Sequence, residues 1–95
     1  VMAGMPSDGK STTLTASGDI FGGPARLATM YFVAGAGEGS IVIRDGGATG
    51  PVLLEIATPA DQSAHGVEFY YTPIRCETSP YAVLTDVTSA TFFYY

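Results

Sequence analysis

The sequence has little with which to staple or anchor itself. Its single cysteine, Cys76, excludes an intramolecular disulfide framework. With His65 as the one histidine, it also excludes a Cys/His zinc site, which needs about four ligands. Tryptophan is absent, and four basic residues (Lys10, Arg26, Arg44, Arg75) stand scattered against nine acidic ones, for a net charge of −5. A basic footprint for nucleic acid is therefore not expected. No run of about 18 apolar residues offers a membrane helix, and the start of the chain lacks the basic-then-apolar order of a signal peptide, so a soluble, unanchored protein is expected. Good helix formers are sparse: one Lys, one Gln and five Leu. No segment of about 11 residues keeps an i, i+3, i+4, i+7 apolar pattern, and one turn near residues 59–64 is the only helical piece expected. Ninety-five residues leave room for one domain and not for a second.

What is present favours strands. Seven Val, five Ile and eleven Thr are joined by five Phe and six Tyr, while twelve Gly and six Pro fall mainly between the apolar runs. Strands are expected at residues 11–16, 26–34, 40–44, 52–57, 67–71, 74–77, 81–85 and 88–95. The alternation predicts that Leu27, Thr29, Tyr31 and Val33 face one way while Ala28, Met30 and Phe32 face the other. It also places Val52, Leu54 and Ile56 on one inner face, with Glu55 outward. The expected fold is all-β: a single small β-sandwich or jelly-roll-like domain of seven or eight short antiparallel strands over residues 14–95. Residues 1–13 are read as an N-terminal arm or disordered lead that orders on a partner. A small oligonucleotide-binding barrel is the main alternative, but it calls for aromatics set among Lys and Arg, and the bases are missing.

Several segments resemble chemistry without completing it. Ile41-Val42-Ile43-Arg44, then Asp45-Gly46-Gly47-Ala48-Thr49-Gly50-Pro51, then Val52-Leu53-Leu54-Glu55-Ile56 reads as a hairpin. Asp45, Gly46, Gly47 and Gly50 form its structural turn, because Asp-Gly and Gly-Gly reach positive φ cheaply. Neither a calcium loop nor a phosphate cradle is complete there. Gly35, Gly37 and Gly39 lack both the spacing and the following helix of a dinucleotide fingerprint, and read as a loop between strands. Asp61, Ser63 and His65 lie close in sequence but in one polar connection without a Gly-x-Ser-x-Gly elbow, so a solvated loop is expected rather than a triad. Alternation turns Ile74 and Cys76 inward and Arg75 and Glu77 outward, which makes Cys76 a buried, inert thiol rather than a partner of His65. The carboxylates are dispersed and there is no substrate-stacking Trp, so the chain is not expected to be an enzyme, and no cofactor or metal is called for.

Thr91-Phe92-Phe93-Tyr94-Tyr95 is the most informative stretch. Alternation divides it into Phe92 and Tyr94 on one face, Phe93 and Tyr95 on the other. One core absorbs one face, which leaves about 300–500 Å² of aromatic surface for something else to cover. Phe92, Phe93, Tyr94 and Tyr95 are therefore the candidate subunit or partner interface.

Laid out in this way, residues 18–95 resemble a group of small all-β structural proteins of tailed-bacteriophage virions. The resemblance rests on Gly18-Asp19-Ile20, on Gly23-Pro24-Ala25-Arg26-Leu27, on the Arg44-Asp45-Gly46-Gly47-Ala48 hairpin, on Thr58-Pro59-Ala60, and on the closing residues 82–94. It implies a virion component rather than a catalyst, most specifically a capsid decoration or cement protein. Such a protein would bind the major capsid protein as a homo-oligomer, with a trimer favoured, on the capsid exterior after assembly in the host cytoplasm. Glu55, Glu68 and residues 76–80 depart from the smoother pattern and leave the place in the virion open to a tail, adaptor or fibre-base role. A carbohydrate- or receptor-binding β module is the reading outside the virion class.

Overall fold

The computed structural model describes residues 10–68 and 73–95, and among these the chain is all strand and turn, without helix. In chain order the strands are β1 (Lys10–Leu14), β2 (Gly18–Asp19), β3 (Ala25–Ala34), β4 (Gly39–Asp45), β5 (Val52–Thr58), β6 (Ala64–Glu68), β7 (Ile74–Cys76), β8 (Pro80–Thr85) and β9 (Val87–Tyr94). Two antiparallel sheets result. One runs β1-β9-β3-β6, with β7 also paired to β3, and the other runs β2-β8-β4-β5.

The pairing has a simple logic. β1 pairs with β9, β2 with β8, β3 with both β6 and β7, and β4 with β5. The chain is one long antiparallel ribbon, folded at the hairpin between β4 and β5 and then rolled so that β9 meets β3 and β8 meets β4. That strand order is a jelly roll, a β-sandwich in which each sheet covers the apolar face of the other. Leu27, Met30, Phe32, Phe92 and Tyr94 from the first sheet close on Ile41, Ile43 and Ala82 from the second, with Ile20, Ala25, Ala34, Cys76 and Ala90 completing a single core.

The expected architecture holds, and several local expectations need correction. In β3, Leu27 lies inside with Met30 and Phe32, because a register shift between Leu27 and Thr29 carries Ala28 as an extra residue and resets the alternation. In β5, Val52 is exposed rather than inward: a shift between Ile43 and Arg44 leaves Leu53 between the partners of these two residues, and only Leu54 and Ile56 keep the inner side. The expected helical turn at residues 59–64 is instead a bend in which Ser63 N–H donates to Asp61 Oδ1 (3.0 Å), the local side-chain closure that Asp favours over helix. The strand expected at residues 67–71 lies earlier, as β6, and residues 69–71 fall outside the described ones. β2 escaped the sequence reading because two residues carry no periodicity. The residues read as the end of an arm, 10–13, belong to β1 and pair with β9, while residues 1–9 lie outside the described ones.

Candidate interaction face

β9 is central in its sheet, and from Ala90 to Tyr94 it has β1 on one side and β3 on the other, so the backbone beneath the aromatic residues is paired on both sides. Alternation sends Phe92 and Tyr94 inward, 1% and 6% exposed. The Tyr94 hydroxyl meets Thr12 Oγ1 at 2.9 Å, and its ring packs on Phe21 at 5.3 Å between centroids. Phe93 and Tyr95 point outward, 42% and 39% exposed. The aromatic terminus is thus divided as its sequence implied, and it is not an open sheet edge.

The outward face is wider than β9. Tyr31 of β3, 50% exposed, lies opposite Thr91 and one diagonal step from Phe93, which itself pairs with Thr29 and Ser11. On its other side Tyr31 faces Gly66, where a Cβ would stand in ordinary contact with the ring, 3.5 Å from Tyr31 Cδ1. Thr13 and Thr91 hydroxyls join at 2.8 Å across β1 and β9. Tyr31, Phe93 and Tyr95 therefore rise from a rigid field of Ser and Thr. The sequence reading missed Tyr31 as part of this face, although its outward phase on the long strand was the available signal.

The other singled-out residues have structural surroundings. At the hairpin, Gly46 and Gly47 take positive φ (96° and 126°), and Gly50 sits so close to Asp45 that a Cβ would be 1.8 Å from the Asp45 carbonyl oxygen. The Asp45 carboxylate accepts three backbone N–H groups, from Glu77, Thr78 and Ser79, each at 3.0 Å. These bonds hold it below the ordinary carboxylate range, those from Ser79 and Thr78 most strongly. Asp61 and His65 come together, with Oδ2 and Nε2 3.0 Å apart, and the imidazole packs against Phe32 at 5.3 Å. Ser63 Oγ instead donates to the Asp61 backbone carbonyl (3.2 Å). The Asp61 carboxyl is lowered chiefly by the Ser63 N–H and then by His65.

Cys76 is fully buried, and burial together with the nearby Asp45 charge pushes its thiol up to about 11, far from a reactive thiolate. It pairs with Ala25 at one end of β3 while His65 pairs with Phe32 seven residues along, about 23 Å of strand, so the two do not meet. Among the described residues no cluster of His, Cys, Asp and Glu gathers to hold a metal ion. The space between Leu27, Met30, Ile43, Leu54 and Phe92 is too small for a water molecule, so no ligand chamber opens there. No family model, no curated protein and no solved structure matches this chain.

Proposed function

We propose that this chain is a structural assembly protein that docks through the outer face of its five-stranded sheet, and that its place is the exterior of a tailed-bacteriophage head, as a decoration protein on the major capsid protein. The observation that carries the docking role is the trio Tyr31, Phe93 and Tyr95, raised on two central strands with their rings about half exposed. Three such rings offer roughly 200–350 Å² of aromatic surface, at the level of the largest patch on an ordinary monomer. A specific interface needs about 800 Å² on each side, so the rings act as the anchor and the Ser and Thr rows around them as the polar rim. One such contact is modest. Copies held together in a homotrimer would engage a capsid lattice through several at once, and multivalency turns modest contacts into firm attachment.

The virion assignment rests on the resemblance of the hairpin and of the closing residues 82–94. The jelly roll agrees with it without deciding it, since that fold serves viral capsid and lectin domains alike. An acidic surface suits the outside of a particle better than contact with packaged DNA. The test is to add the purified chain to DNA-filled, tailed particles of the phage that encodes it, assembled without this chain. Saturating attachment in lattice stoichiometry, with a rise in the temperature at which heads release DNA, is expected. A few copies per particle confined to the tail would replace the decoration reading by a tail-component one, and absence from particles combined with capture on a glycan array would replace it by a carbohydrate-binding one.

A further inference from the structure

Half of the chain's basic side chains are set against each other. Arg26 on β3 lies directly opposite Arg75 on β7, and both are exposed. Arg26 N–H donates to Tyr95 O (2.8 Å) and Tyr95 N–H donates to Arg26 O (3.0 Å), so both backbone groups of Arg26 are spent toward Tyr95. The side of Arg26 that faces Arg75 is then a non-hydrogen-bonded pairing, the closer kind, with Cα atoms about 4.5 Å apart and side chains crowded together. Like charges in that position destabilise a sheet. A chain with nine carboxylates had ample means to relieve the repulsion. Among the described residues, however, no carboxylate side chain pairs with either guanidinium, and the one acid–base contact of that kind is Asp61 with His65. The row Arg75, Arg26, Tyr95 borders an open depression of about 360 Å³ whose other walls are Pro24, Ala25 and Cys76.

We propose that Arg26 and Arg75 form a binding site for a tetrahedral oxyanion of double charge, a phosphate or sulfate group, with Tyr95 at its margin. Two guanidinium forks present paired N–H donors and two positive charges. A phosphate ester above its second ionisation near pH 6, or inorganic phosphate above its own about one unit higher, brings a matching charge and enough acceptor oxygens for both forks. A single carboxylate neutralises one arginine and leaves the other repelled. The group arrives either as the free ion or as an ester on a larger molecule, and the site reads the shared tetrahedral head.

The test is an amide-shift titration of the full chain by NMR at low ionic strength and pH 7.5, using inorganic phosphate, sulfate, phenyl phosphate and acetate, with sodium chloride matching ionic strength. Saturable shifts are expected at residues 25–27, 74–76 and 95 with the first three, and Arg26→Ala or Arg75→Ala should each weaken binding by about tenfold or more. Lowering the pH to 5 should weaken inorganic phosphate, which becomes a monoanion, and leave sulfate unchanged. Equal affinity for phosphate and phenyl phosphate assigns the site to the free ion, and tighter phenyl phosphate assigns it to an ester. Without any oxyanion, Arg75→Ala should melt no lower than the parent chain, since it removes a repulsion. A pair that serves only to guard the β7 edge predicts none of the titration results. Absence of saturation, acetate matching phosphate, or retained binding in the double variant would overturn the proposal.

Discussion

At the scale of single residues, Asp45 links two parts of the ribbon that are far apart in sequence. It ends β4, and its carboxylate gathers the N–H groups of Glu77, Thr78 and Ser79, while Gly46 N–H donates to the Ser79 carbonyl (2.8 Å). Its carboxyl is lowered in the folded chain, so the folded state favours the charged form. The stabilisation is complete above the unfolded value of 3.8 and is lost as pH falls through the lower folded value. Asp45→Asn should therefore lower the melting temperature by a few degrees at pH 7, and the gap to the parent chain should close as both are acidified below the folded value. A gap that persists in strong acid would mean that shape rather than charge holds the connection. Asp61, lowered as well, leaves part of the acid limb in place in that variant. The turn chemistry of Asp45-Gly46-Gly47 was readable because it is local. The second role was not, since its partners lie 32 to 34 residues away and are backbone groups that no side-chain pattern announces.

At the scale of elements, the glycines of residues 35–39 are explained by what passes beside them. The chain leaves the first sheet after Ala34 and enters the second at Gly39. It makes the reverse crossing between β8 and β9 through Asp86, a single residue at φ 51°. The two crossings run in contact. Gly35 N–H donates to the Asp86 carbonyl at 3.0 Å, and a Cβ on Gly35 or Gly39 would stand 2.5 Å from Asp86 O or 1.8 Å from Thr85 O. Gly39→Ala must push one crossing off the other and should cost about 1–3 kcal/mol in chemical denaturation. Gly22→Ala, where a Cβ meets nothing within 4 Å, should stay within about 0.5 kcal/mol. Equal effects from the two variants would remove close approach as the reason for these glycines. The sequence marked this stretch as a connection, and its tightness comes from a neighbour some fifty residues away. The bulge in β3 has the same character: Leu27 and Met30 are both apolar, so composition accepts either phase, and only closure against Ile43 and Phe92 selects the one that buries both.

At the scale of the whole molecule, fold and proposed docking surface are two sides of one strand. The alternation of residues 92–95 was legible, and with it the outward turn of Phe93 and Tyr95. Which strands flank β9 was not, because a rolled ribbon pairs its first strand with its last and periodicity carries no information about partners. The division predicts opposite consequences for adjacent phenylalanines. Phe92 is fully buried, so Phe92→Ala should cost about 3–5 kcal/mol, a large share of the 5–15 kcal/mol that holds a small domain together. Phe93 touches the fold through cross-strand neighbours worth about 0.2–1 kcal/mol each, so Phe93→Ser should stay folded and cost well below Phe92→Ala. The same should hold for Tyr31→Ser. If the outer face is the docking surface, attachment to heads must follow the reverse order: Phe93→Ser and Tyr31→Ser remain folded and fail to attach, while Phe92→Ala, under stabilising conditions where it still folds, attaches like the parent. Melting curves and co-sedimentation on the same preparations separate the two effects. Full attachment by folded Phe93→Ser would move the docking surface elsewhere on the molecule, since no other side chain of that face on β9 supplies comparable apolar area inward of Tyr95.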